Sequence, residues 1–264
     1  MVKALVLLAM LLASVMVQAS GRCQHFTASG NAEYPPYLWR SAQDPMVLVG
    51  ANAMLMDYIA EQLGVSIDIG YVGPWGRTQE ELAKGHIDFI AGAFFTEPRT
   101  KRMDYLYPAF QLTRTAVWVS EFRPFNYSQW QDLVGRQGVT VINNSFGQAF
   151  DEYAAENLTI HEAVKLEQGL RMLQGDRVDY FIYELNPGRA YASQLGISDV
   201  RPLAVPVSQE PLYLTMSKQS VCNTPEFRQR IEQVLQKAEQ EKVMEGFLQQ
   251  AISDWRESAS TDLD

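Results

Sequence analysis

Between Cys23 and Tyr107, apolar runs of strand length alternate with segments of helical period. This alternation restricts the fold more than any other feature of the chain. Cys23 to Ser29 (CQHFTAS) reads as a first strand. Gly50 precedes ANAMLMDYIAEQLG, where Ala53, Leu55, Met56, Ile59, Ala60 and Leu63 recur at helical spacing and Gly64 supplies a stop. Val65 to Val72 is a second strand, Trp75 opens a helical segment leading to Gly85, and Asp88 begins a third strand. The β-loop-α-β-α-β order predicts an α/β fold with a parallel sheet covered on both faces. Gly30 to Trp39 reads as a loop that Pro35 and Pro36 stiffen, presenting Tyr34, Tyr37 and Trp39.

The stretch Asp88 to Tyr107 carries the densest chemistry. Phe89, Ile90 and Ala91 form a buried strand end, and Gly92 permits a close backbone approach. Thr96, Glu97 and Pro98 read as a helix start with Thr96 as N-cap. Arg99 lies one turn inside, so a guanidinium and backbone N–H groups can converge on one small carboxylate. The plainer alternative is a surface arginine beside Lys101 and Arg102.

After Phe110 the pattern changes. Thr115 to Ser120 is a strand, and a polar, aromatic linker leads to Asp132-Leu133-Val134-Gly135. A second α/β unit follows, with a strand Val139 to Ile142, a loop at 143–147 and a helix from about Gln148. Val164 to Leu166 reads as a short strand, Gln168 to Gln174 as a helix, Asp179 to Tyr183 as a strand, and Gly188 to Leu195 as a helix. Pro211 to Met216 runs back as a strand, and Thr224 to Trp255 reads as one long, or two consecutive, amphipathic helices that Thr224 can cap. Residues 256–264 read as disordered. The chain therefore crosses twice between two units, near 110–116 and 208–214, which makes a hinge and a cleft. One lobe comprises 20–112 plus 212–264 and the other 113–211. Ligands of open α/β sheets bind at strand carboxyl ends, which here face the cleft.

Residues 1–19 have the form of a signal peptide: Lys3, an apolar core from Ala4 to Val17, and Val17-Gln18-Ala19 as cleavage signature. Ser20-Gly21-Arg22 before Cys23 does not fit a lipid-attachment box. An exported protein is expected. Its formal charge of −9 and lack of a basic run argue against nucleic-acid binding. Cys23 and Cys222 are expected to pair in an oxidising compartment, two buried thiols being the alternative. His25, His86 and His161 are scattered, with no metal spacing and no nucleophile–base pair.

Six motifs in order bring a family into view. These are Tyr34-Pro35-Pro36-Tyr37; Gly50 to Met54 with Ile59-Ala60 and Leu63-Gly64; Trp75 followed thirteen residues later by Asp88; Gly92 to Arg99; Asp104 to Pro108; and Asp132-Leu133-x-Gly135 with Val139 to Val141. Over 24–256 the chain resembles the family 3 extracellular solute-binding proteins, periplasmic amino-acid receptors of ABC importers with the type II periplasmic binding fold. The resemblance implies that Arg99 grips an α-carboxylate, helped by Thr96 and by backbone near Gly92. Glu184 then pairs the α-ammonium, Tyr34 and Trp75 wall the side-chain pocket, and Ser145 donates from the second lobe. Phe94 stands where the family has a polar contact, which makes the cleft more aromatic. The resemblance implies no cofactor, a monomer, a small amino-acid-like or carboxylate ligand, and a membrane permease or sensor as partner. Two other readings remain. One is a receptor that has lost its free ligand and acts through protein contacts. The other is a dehydratase-like enzyme of the same fold, although Pro187 stands where such enzymes place a catalytic Glu.

Overall fold

A computed structural model describes residues 23–261. The signal segment 1–19 and the last three residues lie outside the described part. β1 (His25–Ser29) is followed by three short strands, β2 (Glu33–Tyr34), β3 (Leu38–Arg40) and β4 (Leu48–Val49). Then come α1 (Ala51–Leu63), β5 (Ser66–Ile69), α2 (Trp75–Ala83), β6 (Phe89–Phe94), α3 (Glu97–Thr100) and β7 (Met103–Tyr105). A long β8 (Gln111–Ser120) leads through a 3₁₀ turn (Trp130–Leu133) to β9 (Gln137–Val141), α4 (Gln148–Asn157), β10 (Thr159–Ala163) and α5 (Leu166–Gln174). The chain ends with β11 (Tyr180–Glu184), α6 (Leu185–Gln194), β12 (Val200–Ser217), α7 (Pro225–Gln240) and α8 (Val243–Thr261).

Nine strands form one mixed sheet in the order β10-β9-β11-β8-β12-β6-β1-β5, with β7 also on β12. β1 pairs parallel with β5 and β6, as the alternating pattern requires. β9 pairs parallel with β10 and β11 at the other end. Antiparallel β8 and β12 join the two parallel halves, paired from Gln111–Leu212 to Ser120–Val200 with irregularities around Pro206.

Each half buries its own core. In the first, Phe26, Phe89 and Leu214 of the sheet pack on Leu55, Met56 and Ile59 of α1 and on Phe227, Ile231 and Leu235 of α7. In the second, strands are covered on both faces. Ala116 and Trp118 of β8 enter one cluster with Phe181 and Tyr183, whereas Val117 and Val119 enter another with Tyr180 and Ile182. Opposite pointing of successive side chains therefore makes the whole run apolar. Gly64 ends α1 in the left-handed region at φ 66°, and Thr224 Oγ1 accepts from Phe227 N at 3.2 Å to cap α7. Among the described residues no helix is long and apolar enough to cross a membrane.

Cys23 and Cys222 are bonded, 199 residues apart in sequence, and join the start of β1 to the turn before α7. A loop of this length restricts the unfolded chain strongly. Replacing both residues by serine is expected to cost about 2–4 kcal/mol. That corresponds to a fall of roughly 5–15 °C in the calorimetric Tm; a fall below about 1 °C would contradict it.

Three local expectations are corrected. The strand expected at Val164 to Leu166 lies earlier, at Thr159–Ala163, and Leu166 already begins α5. The loop Gly30 to Trp39 contains β2 and β3, paired Glu33–Trp39 and Tyr34–Leu38. Residues 256–261 are helical rather than disordered, because α8 continues past Trp255, whose ring meets Trp39 at 5.5 Å and Tyr191 at 5.7 Å.

Candidate functional site

The carboxyl ends of β1, β6 and β11 converge where β8 and β12 cross between the halves. A cavity of about 30 Å³ lies there, lined by Tyr34, Trp75, Gly92, Phe94, Arg99, Ser145 and Glu184, together with Asn31, Ala93, Asn144 and Leu212. Seven of the eight residues singled out in the sequence thus surround one space. The eighth, Thr96, lines an adjoining groove of about 830 Å³, of which Asn31, Trp75 and Arg99 also form part. The inner cavity has room for a water molecule or two.

Arg99 is placed by the turn from β6 into α3. Thr96 occupies the N-cap position, but its side chain makes no capping hydrogen bond; its carbonyl accepts from Arg99 N at 3.2 Å. The Arg99 side chain folds back and is buried. Its Nη1 donates to the Phe94 carbonyl at 3.1 Å, its Nε donates to Gln79 Oε1 at 3.2 Å, and its guanidinium lies 5.4 Å from the Trp75 ring centre. The Phe94 carbonyl also accepts from the Tyr105 hydroxyl at 2.8 Å. Burial lowers the Arg99 pKa, opposed by Tyr105, Asp151 and Glu184. Gly92 takes φ 121°, and a Cβ there would lie 2.9 Å from Asn52 Nδ2, which donates to the Ala91 carbonyl. Glycine is therefore required both by conformation and by space.

Opposite stands Glu184, the last residue of β11 and the N-cap position of α6. It is 5% exposed, and its Oε2 has no hydrogen-bond partner. Burial pushes its carboxyl pKa up to about 8 against the opposing influence of backbone N–H, the nearby Tyr34 hydroxyl and Arg99. The Tyr34 hydroxyl, also buried, has no aligned partner, so its nearness to Glu184 is electrostatic rather than a formed hydrogen bond. The Tyr34 ring packs 4.9 Å from Tyr37, and Tyr37 accepts from Asn186 Nδ2 at 2.9 Å. The cavity thus carries a guanidinium from one half, a carboxyl with an unpartnered Oε2 from the other, and the unpartnered Tyr34 phenol beside them. Such a space suits a molecule with both an acidic and a donor group.

Ser145 reaches the cavity, but its hydroxyl donates to Asp151 Oδ2, and Phe146 N donates to Asp151 Oδ1 at 2.9 Å. Its proton is therefore directed into the start of α4. Phe94 packs with Tyr34, Tyr37 and Leu212, while Phe146 lies in the core beside Phe150. Asn31, Leu212 and Gln79 were not foreseen. Asn31 sits two residues beyond β1, where the strand-end rule would have found it. Gln79 is reached only because α2 packs beside α3.

A model of the bacterial extracellular solute-binding proteins, family 3, matches residues 27–254. The chain belongs to this family. The family's fold recurs in solved structures. A histidine kinase sensor domain with similarity to periplasmic binding proteins superposes with a TM-score of 0.72 at 19% identity, covering 89% of this chain and 96% of that one. A variant of ArgBP from T. maritima gives a TM-score of 0.72 at 19% identity, with coverage of 87% and 96%. An amino acid ABC transporter substrate-binding protein from Streptococcus pneumoniae bound to L-arginine gives 0.71 at 16% identity, with coverage of 88% and 96%. At these identities the likeness establishes the mixed α/β fold of periplasmic binding proteins. No curated protein matches the chain.

Proposed function

We propose that the protein captures a small amino acid, or a comparable amine-bearing carboxylate, between two lobes formed by 20–112 with 212–264 and by 113–211. The observation that carries this reading is the pairing of the buried Arg99 with the unpartnered Glu184 carboxyl across one cavity. Arg99 takes the ligand carboxylate through charge-assisted hydrogen bonds, and Glu184 with Tyr34 takes the ammonium. Trp75 and Phe94 bound the side-chain space, and Gly92 and Thr96 shape the approach. A space of about 30 Å³ does not hold an amino acid, so entry requires the lobes to part and then close around the ligand.

On this reading the protein works as an exported, periplasmic monomer, without cofactor or catalysis, and hands a closed, liganded state to a membrane partner. The arginine-bound neighbour supports a permease as that partner, and the sensor-domain neighbour a signalling protein. The experiment is thermal unfolding of protein refolded to remove bound solute, against the standard amino acids and small organic acids. A ligand at a hundred times its Kd adds about 2.7 kcal/mol to stability. A shift of several degrees with one chemical class supports the reading, and flat curves across the panel contradict it. Flat curves favour the second reading, a receptor acting by protein contacts alone. The small cavity and the hydrogen bonds that already cross the cleft motivate that alternative.

A further inference from the structure

We propose that Glu33 is a closing latch: its carboxylate, carried by one lobe, caps the first turn of α5 in the other and holds the cleft shut without ligand. Helix α5 begins after Lys165, whose side chain makes no capping hydrogen bond, so its first N–H groups need partners from elsewhere. Just before the helix, Val164 N is satisfied locally, donating to Gln168 Oε1 at 3.0 Å. Leu166 N finds one across the cleft, donating to Glu33 Oε2 at 3.2 Å. The neighbouring backbone is held as well, since the Tyr183 hydroxyl donates to the Glu33 carbonyl at 3.3 Å.

Burial pushes the Glu33 carboxyl pKa up; the Leu166 N–H and then the Lys165 charge favour the carboxylate against it, while Glu167 opposes, and the aligned backbone dipoles at a helix N-terminus add to the favourable side. Besides the Tyr183–Glu33 bond, two other hydrogen bonds cross the cleft: Asn186 Nδ2 to the Tyr37 hydroxyl at 2.9 Å, and Glu97 N to Gln148 Oε1 at 3.2 Å. None of these three involves a charged group, so the Leu166–Glu33 contact supplies the ionic component among the four. Glu33 and Tyr34 together make up β2, so the latch residue adjoins a wall of the ligand cavity. Losing the cap therefore removes one of the two hydrogen bonds that tie this strand to the other lobe, the Tyr183 bond to the Glu33 carbonyl being the second. The latch sets the fraction of closed protein before any ligand arrives, and with it the apparent affinity.

This inference rests on the two-lobed reading above, but its test uses no ligand, so flat binding curves leave it standing. Spin labels on the exposed faces of α1 and α4 report the lobe separation of ligand-free protein by pulsed dipolar spectroscopy. Glu33→Gln keeps an acceptor and removes the charge. It should raise the ratio of open to closed molecules about fivefold, the effect of losing one charged helix cap. Lys165→Glu leaves Glu33 untouched and places a like charge beside it, and should open the cleft in the same direction. The double variant should open no further than the larger single effect. An unchanged distance distribution in Lys165→Glu overturns the latch whatever Glu33→Gln does. Fully additive opening in the double variant overturns it as well.

Discussion

An Arg99→Ala protein is expected to show no ligand-dependent rise in unfolding temperature, at concentrations where the unaltered protein shifts by several degrees. Arg99 is buried, and two of its N–H groups are already directed to Phe94 and Gln79, which fix the plane of the guanidinium. The remaining donors are thus presented in a set orientation, the arrangement that favours bidentate contact with a carboxylate. Removing a charged partner from a desolvated pair costs about 2–5 kcal/mol. Titration calorimetry should therefore record a loss of affinity on the order of a hundredfold or more. Arg99→Lys should recover only part of it, because an ammonium lacks the planar fork. Binding retained within about threefold in Arg99→Ala would move the carboxylate site elsewhere in the groove.

The second large effect concerns pH. The Glu184 carboxyl has an ordinary value of 4.5 and rises to about 8 in the folded protein, chiefly through burial. An acid whose folded pKa is raised binds its proton more tightly when folded. Its contribution to stability is complete below about 4.5 and is lost as pH rises through about 8. Ligand-free protein should therefore become less stable between these limits, and Glu184→Gln should remove most of that slope. At pH 8 the variant should be more stable by about 2–4 kcal/mol, seen in urea unfolding at several pH values. Ligand binding tests the same group from the other side. An ammonium placed against Glu184 favours the charged carboxylate, so binding at pH 7 should release a proton. Calorimetry in buffers of different ionisation enthalpy measures that release. A pH-independent stability difference between the two proteins would show that folding leaves the Glu184 carboxyl pKa unshifted.

The parts of this molecule legible in its sequence are those where one physical demand dominates. β11 reads as a strand because each of Tyr180 to Tyr183 is buried on one face or the other. Arg99 could be singled out because Thr96, Glu97 and Pro98 mark a helix start immediately after a buried strand. Edge strand β10 was misplaced for the opposite reason. Thr159, His161 and Glu162 are exposed, so no apolar run marks it. The hairpin of β2 and β3 was hidden by Pro35 and Pro36, which read as loop although strands flank them. Ser145 was foreseen as a donor into the cleft because its loop position is visible in sequence. That Asp151 takes its hydroxyl proton depends on a side-chain geometry that spacing alone does not specify. Gln79 and Leu212 are far from Arg99 in the chain, and only packing brings Gln79 to its guanidinium and Leu212 to the inner cavity.

The connection through β8 and β12 also bears on the order in which the chain can assemble. The segment from Gln111 to Val207 contains β8 to β11, α4 to α6 and the first part of β12, so most contacts of that half can form as soon as it is complete. The other half cannot finish on its own. β6 awaits Leu212 to Met216, the Phe26 core awaits Phe227 and Ile231, and Cys23 awaits Cys222. The first residues to emerge are therefore among the last to reach their final neighbours. Folding kinetics should be governed by this long-range closure rather than by the local βα units.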